Sequence, residues 1–213
     1  MPEDMHDVAI VGGGLAGLTL ALQLHREKPE LSIVVLERSA LPPPLASHKV
    51  GESTVEIGAH YLADTLGLGE LLEETQLRKF GLRLFFGAGR HDDLASADEL
   101  GASHLLPAVS YQIDRGKLER DLVDILVAKG VVVLDQCNVS SAIINGSGDS
   151  HSLDIKHAGE PKTIRSRWVV DASSRAAILK RKLGMSKPCD HKIGSAWFRL
   201  DKPISVDDWS GSE

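Results

Sequence analysis

Residues 7–18 read Asp-Val-Ala-Ile-Val-Gly-Gly-Gly-Leu-Ala-Gly-Leu. Val8 to Val11 form a short apolar run rich in β-branched residues, which reads as a buried strand. Gly12, Gly14 and Gly17 fall on the spacing G-x-G-x-x-G, and an alanine- and leucine-rich helix follows from Leu15 to about Glu27. Gly12 permits the tight turn out of the strand. Gly14 lets the backbone approach a pyrophosphate, and Gly17 lets the helix pack close to the strand. The helix N-terminus aims backbone N–H groups and partial positive charge at that anion. A second apolar strand over 32–36 ends at Glu37, 20 residues after Gly17, where a ribose-binding carboxylate is expected. Strand, glycines, helix, strand and acid together predict a dinucleotide-binding unit. The carboxylate argues against a site built for a 2′-phosphate. The position near the N-terminus favours FAD held as a prosthetic group, and the glycines alone leave an NAD site open.

Composition narrows the classes. A chain of 213 residues suggests one domain, or one and a fragment. A net charge of −6 with a pI near 5.8 gives no general attraction to nucleic acid. No apolar run approaches membrane-spanning length, and the acidic start Met1–His6 is not a secretory signal, so a cytoplasmic protein is expected. Cys137 and Cys189 lack a C-x-x-C spacing and read as two reduced thiols. The histidines are scattered, and His91-Asp92-Asp93 reads as a polar loop, so no metal site is expected.

Outward from the glycine turn, residues 42–44 are three prolines, which neither helix nor central strand tolerates. Ser53 or Thr54 is placed to cap a helix running to about Leu66. Gly51, Glu52 and Ser53 then sit at a second helix N-terminus, either as a plain loop and cap or as a cofactor-facing segment. A short acidic helix is expected over 68–76, an amphipathic strand over 79–86, an irregular connection over 87–103 and a strand over 106–113. Residues 114–129 form an amphipathic helix with Leu118, Leu122, Ile125 and Leu126 on one face, Asp114 at its start and Gly130 past its end. A buried strand over 131–134 follows. Three antiparallel strands, over 139–144, 151–156 and 163–167, form a meander that reads as an insertion. A buried strand over 168–171 ends in Asp171, a basic helix covers 176–183, and a last strand is expected over 194–200. The predicted class is α/β: a Rossmann-like FAD-binding parallel sheet with an antiparallel three-stranded β-meander insertion and part of a substrate-domain sheet. The expected segments are 1–78 and 114–185 for the FAD-binding domain, 79–113 for partial substrate-domain strands, and 186–213 for the start of a further substrate-domain portion.

The glycines 12–17, the run Lys49-Val-Gly-Glu-Ser-Thr, residues 79–86, Asp114-Arg115 and the run Val170-Asp-Ala-Ser-Ser-Arg occur in one order. That order resembles the FAD-dependent oxidoreductases of the flavin-dependent, tryptophan-type halogenase family, within the glutathione-reductase-like flavoprotein monooxygenases. The resemblance covers essentially the whole chain and implies FAD; an NAD-binding dehydrogenase fits the later motifs poorly. It implies that Gly12, Gly13, Gly14, Leu15, Ala16 and Gly17 hold the pyrophosphate, and that Glu37 binds the adenosine ribose with Arg38 beside it. Lys49, Gly51, Glu52 and Ser53 would lie along the flavin. Arg115 would reach the cofactor, backbone at Val139 would pass the adenine, and Asp171 would lie by the pyrophosphate.

Lys79 stands where halogenases carry a lysine thought to meet hypochlorous acid formed at the flavin and to deliver electrophilic chlorine. Burial there would lower its pKa; a solvated basic face with Arg78 and Arg83 is the alternative. The implied reaction is halogenation of an organic, aromatic or carrier-bound substrate with reduced flavin and O₂. The implied partners are a small-molecule or carrier-protein-bound substrate, a halide ion and a flavin reductase. A hydroxylase and a non-catalytic FAD-binding fragment are the alternatives. Two departures from the family pattern stand out. Ser174 replaces a usual glycine, and the family's W-x-W-x-I-P and second G-D motifs would lie past Glu213, so an N-terminal portion of a longer enzyme is expected.

Overall fold

The computed structural model describes residues 5–194 apart from 46, 48, 50, 80, 88, 90, 91, 94, 103, 105, 106 and 147, together with 202 and 205. In chain order the strands are β1 (Met5–Val11), β2 (Ile33–Leu36), β3 (Leu77–Arg78), β4 (Arg83–Phe86), β5 (Asp98–Gly101), β6 (Tyr111–Gln112), β7 (Val132–Leu134), β8 (Cys137–Ile143), β9 (His151–His157) and β10 (Glu160–Asp171). The helices are α1 (Leu15–Glu27), α2 (Glu56–His60), α3 (Gly69–Thr75), α4 (Arg115–Ala128) and α5 (Ile178–Lys182). A six-stranded sheet has the order β7-β2-β1-β10-β9-β8. Its first four strands are parallel, and β10, β9 and β8 pair antiparallel.

The strands at the sheet centre are apolar on both faces because both faces are covered. Val8, Ile10, Ile33 and Val35 pack with Leu18 and Leu22 of α1 and with Leu118, Leu122 and Leu126 of α4. On the other face Ala9, Val11, Val34 and Leu36 meet Leu153, Ile155 and Ile164 from the antiparallel strands. The meander is therefore present, but it extends the main sheet and covers its second face. Its third strand is also continuous with the strand expected to be buried over 168–171, which is only half-buried, with Trp168 exposed. Residues 160–166 pair with β9, and β10 runs on beside β1 until Asp171 lies opposite Val11. The strand expected to be buried over 131–134 is the sheet's edge, so Val132 is exposed while Val131 is buried.

Glycine is required at two places in the first turn. Gly12 adopts φ +116°, and a Cβ there would lie 2.4 Å from Ala172 O. A Cβ on Gly17 would lie 1.9 Å from Gly12 O, so α1 rests directly on the turn.

Beside this sheet lie two small antiparallel pairs, β3–β6 and β4–β5, where part of a substrate-domain sheet was expected. The helix expected to start at Ser53 or Thr54 begins at Glu56, with Val55 at its N-cap and no side-chain cap. Thr54 is instead engaged by β6: its Oγ1 accepts from Tyr111 N–H (2.7 Å) and donates to Tyr111 O (2.8 Å). Past His60 the helix continues with π-type bonding over Tyr61–Thr65. Asp114 caps α4 as expected, accepting from Lys117 N–H (3.2 Å), and Gly130 adopts φ +81° past its end. The strand expected over 194–200 lies largely outside the described residues.

Candidate functional site

The carboxyl ends of β1 and β2 and the loop after β10 surround a cleft of about 740 Å³. Such a position, outside the carboxyl edge of a parallel sheet, is where open α/β folds take ligands. Gly12 is anchored by its N–H to Leu36 O (2.8 Å), and Ala172 N–H reaches Val11 O (2.9 Å). Glu37 follows β2 and folds its carboxylate back under the turn. Its Oε2 accepts from Gly13 N–H (2.7 Å) and its Oε1 from Ser39 N–H (2.8 Å). Gly14 is the N-cap of α1 and faces the cleft; a Cβ there would meet only Arg115 Nη2, at 3.9 Å.

Of the residues expected from sequence, Gly12, Gly14, Glu37, Arg38, Lys49, Arg115 and Val139 line this cleft together. Gly13, Leu15, Ala16 and Gly17 belong to the same turn and first helical turn but do not line it. Val139 reaches the cleft because β8 begins beside β2, where Cys137 N–H donates to Glu37 O (2.8 Å). Asp171 lies at the margin with its carboxylate committed to the loop. It accepts from Ser173 N–H (3.1 Å) and Leu179 N–H (2.8 Å). Burial pulls its pKa up. Hydrogen bonds from the Ser173 hydroxyl and from backbone N–H groups of Ser173, Leu179 and Lys180 together outweigh that and hold it below the ordinary 3.8.

Glu52, Ser53 and Lys79 form a second group that does not line the cleft. Half-buried Lys79 donates from Nζ to Ser53 Oγ (2.9 Å) and to Thr54 O (2.8 Å). Glu52 ties this group to the cleft, because its Oε1 accepts from Arg115 N–H (3.4 Å) at the start of α4. Gly51, at φ +88°, has no atom within 4 Å of an added Cβ. Phe80, beside Lys79, lies outside the described residues.

Sequence reasoning passed over Glu119. It is 1% exposed and accepts from Leu15 N–H (3.2 Å), Arg115 Nε (3.1 Å) and Arg115 Nη2 (2.6 Å), with Lys49 Nζ on its other oxygen. A signal existed: an acid four residues after an arginine, sitting in the apolar stripe of a helix. The loop Ala172–Ala176 also lines the cleft and supplies Arg175 to it.

The donor set fits the ADP half of a dinucleotide. A glycine turn and helix start face cations from Lys49, Arg115, Arg38 and Arg175, and the Glu37 carboxylate, which accepts from Gly13 and Ser39 N–H, would have lone pairs left for ribose hydroxyls.

The FAD binding domain family matches residues 5–207. The chain belongs to that family. Among curated relatives, this FAD-binding chain is 30% identical over 223 residues to the flavin-dependent halogenase chlA of Dictyostelium discoideum, covering 92% of this chain and 36% of the relative. It is 27% identical to a 1H-pyrrole-2-carbonyl peptidyl-carrier-protein chlorinase of Pseudomonas fluorescens, covering 87% of this chain and 43% of that one. Tetracenomycin A2 monooxygenase-dioxygenase of Streptomyces glaucescens is 26% identical over 92% of this chain and 37% of its own. Among solved structures, a flavoprotein/dehydrogenase from Cytophaga hutchinsonii superposes with TM-score 0.69 at 22% identity, covering 87% of this chain and 44% of its own, and shares the fold. The flavin-dependent halogenase CmlS does so with TM-score 0.64 at 24% identity, over 85% of this chain and 32% of its own. The chain thus spans less than half the length of these relatives. Among the described residues, no helix is long and apolar enough to cross a membrane.

Proposed function

We propose that this FAD-binding chain belongs to a flavin-dependent halogenase that acts, with reduced flavin and O₂, on an aromatic or carrier-bound substrate. Bound FAD supplies the redox chemistry; the protein orients it and excludes water. Gly12 and Gly14 and the first turn of α1 would receive the pyrophosphate, with Lys49 and Arg115 as counter-charges. Glu37 would take the adenosine ribose, Arg38 would lie beside it, and backbone at Val139 would pass the adenine. Gly51, Glu52 and Ser53 would follow the flavin, and Asp171 would hold the loop closing the pyrophosphate end.

Lys79 is the observation that carries the halogenase reading. Ser53 and Thr54 fix its Nζ beside the segment that Glu52 joins to Arg115. An amine so placed would hold a hypohalous acid by hydrogen bond and orient its halogen toward substrate. Similarity to two halogenases supports the same reading. A halide ion and a flavin reductase are the implied partners.

The test is turnover by the longest available form with externally reduced FAD, with and without chloride or bromide. Halide-dependent product that disappears in Lys79→Met, with FAD affinity retained, is the expected result. Hydroxylation is the second reading, favoured by the similarity to a monooxygenase-dioxygenase. NAD(P)H oxidation coupled to substrate without any halide would replace the first reading by the second. A non-catalytic FAD-binding chain would bind the cofactor and show neither activity.

A further inference from the structure

We propose that Glu119 is a positioning residue of the cofactor site: its buried carboxylate holds Arg115 and Lys49 against the Gly12–Gly14 turn and fixes the start of α1. The proposal rests on the FAD-binding reading. Glu119 joins three separate pieces of chain. One oxygen accepts from Leu15 N–H at the first turn of α1 and from the Arg115 guanidinium one turn earlier on α4. The other meets Lys49 from the segment after the prolines. An acid 1% exposed must be paired, and both cations are drawn to it. The Arg115 and Lys49 side chains themselves keep 19% and 34% of their surface, and both line the cleft. Each cation therefore has one side on Glu119 and another toward the place where a pyrophosphate would lie.

The stability argument alone does not favour an acid here. A well-packed apolar residue often serves a core as well as a buried ion pair does. A negative charge beside a diphosphate site also opposes the ligand by simple Coulomb repulsion. An acid at position 119 is therefore useful to the site only if placing the cations outweighs the repulsion, and the sign of its removal decides between the two.

The experiment titrates the 213-residue chain with FAD and separately with ADP, followed by flavin fluorescence and calorimetry, and records melting without ligand. Glu119→Gln keeps an acceptor for Leu15 N–H and removes the charge that draws the cations. Its Kd for both ligands should rise on the order of tenfold, as expected for loss of a charge-assisted contact. In a Lys49→Met, Arg115→Met background, where the Glu119 charge has lost its cations, the same change should not raise Kd further, whereas a merely structural role would raise it there too. If Glu119→Gln does not fold, Glu119→Asp withdraws the charge by one methylene and carries the same expectation. An unchanged or lowered Kd in the variant, or an equal rise in the double-Met background, overturns the proposal alone. Failure of the unaltered chain to bind either ligand overturns the FAD-binding reading and this proposal with it.

Discussion

Gly14 and Gly17 are three residues apart, yet alanine at each should fail for a different reason. At Gly17 the new methyl would stand 1.9 Å from Gly12 O, a backbone atom fixed by Gly12 N–H on Leu36 O. Helix and turn would have to separate by about 1.5 Å before the contact became ordinary. Overpacking of this kind destabilises by about 1–3 kcal/mol. A backbone clash belongs at the upper end, and the better helix propensity of alanine offsets about 1 kcal/mol of it. The net loss of about 2 kcal/mol should lower the melting temperature of a chain this size by about 4–8 °C. At Gly14 an added methyl meets only Arg115 Nη2, at 3.9 Å, and points into the cleft. The apoprotein should lose only the N-cap preference of glycine over alanine, about 0.5–1 kcal/mol, or about 1–4 °C. FAD affinity should instead fall roughly tenfold, because the methyl occupies the space through which a phosphate approaches the backbone.

The assay is thermal melting of both variants without ligand and then with a series of FAD concentrations. Ligand-induced stabilisation follows the ratio of free ligand to Kd, so the FAD-dependent rise in midpoint separates affinity from stability. A Gly17→Ala midpoint within a degree of the unaltered chain would mean that α1 does not rest on the turn as described. An undiminished FAD shift in Gly14→Ala would mean that the pyrophosphate lies elsewhere.

Ser174 adopts φ +55°, a left-handed conformation that glycine takes without a Cβ penalty. Ser174→Gly should raise the melting temperature by about 1–4 °C, for a gain of about 0.5–1 kcal/mol; a drop would show that the serine side chain stabilises the loop. Asp171 has its folded pKa below the ordinary 3.8, so its contribution to stability is complete above about pH 5 and lost as pH falls through the folded value. Asp171→Asn should therefore melt lower at neutral pH, with the gap to the unaltered chain closing below about pH 4. A gap independent of pH would remove the carboxylate from the account.

The parts of the fold legible in sequence are those whose determinants lie within a few residues of one another. β1, the glycine turn, α1 and β2 follow from apolar runs and glycine spacing, and α4 follows from its apolar stripe with Asp114 and Gly130 at its ends. The misplaced helix start has a distant cause. Thr54 has the chemistry of an N-cap, but Tyr111, 57 residues on, takes its hydroxyl into backbone pairing. β10 reads as two strands in the sequence because its residues answer to two environments, antiparallel beside β9 and then parallel beside β1. Glu119 was passed over for the same kind of reason: its partners Leu15 and Lys49 are 104 and 70 residues away. Glu37 was found because a spacing rule encodes its distance from the glycines, and no comparable rule reached Glu119.

The two acids together explain how a glycine-rich turn is kept in one shape. Glycine lowers the barrier to the needed backbone and also widens the choice of conformations, so the turn requires outside restraint. Glu37 takes the N–H on one side of Gly14, at Gly13, and Glu119 takes the N–H on the other side, at Leu15. Gly14 itself is left facing open space. An anion bound at a turn flanked by two carboxylates would need their charge answered. Arg115 and Lys49 do this for Glu119, and Ser39 N–H shares the load at Glu37. The arrangement leaves the helix N-terminus and the outward sides of two cations as the positive face of the cleft. Glu119 restrains the turn from behind and Glu37 from the cleft wall, and with the turn held on both sides one added methyl at Gly14 should be felt by the ligand while one at Gly17 is felt by the fold.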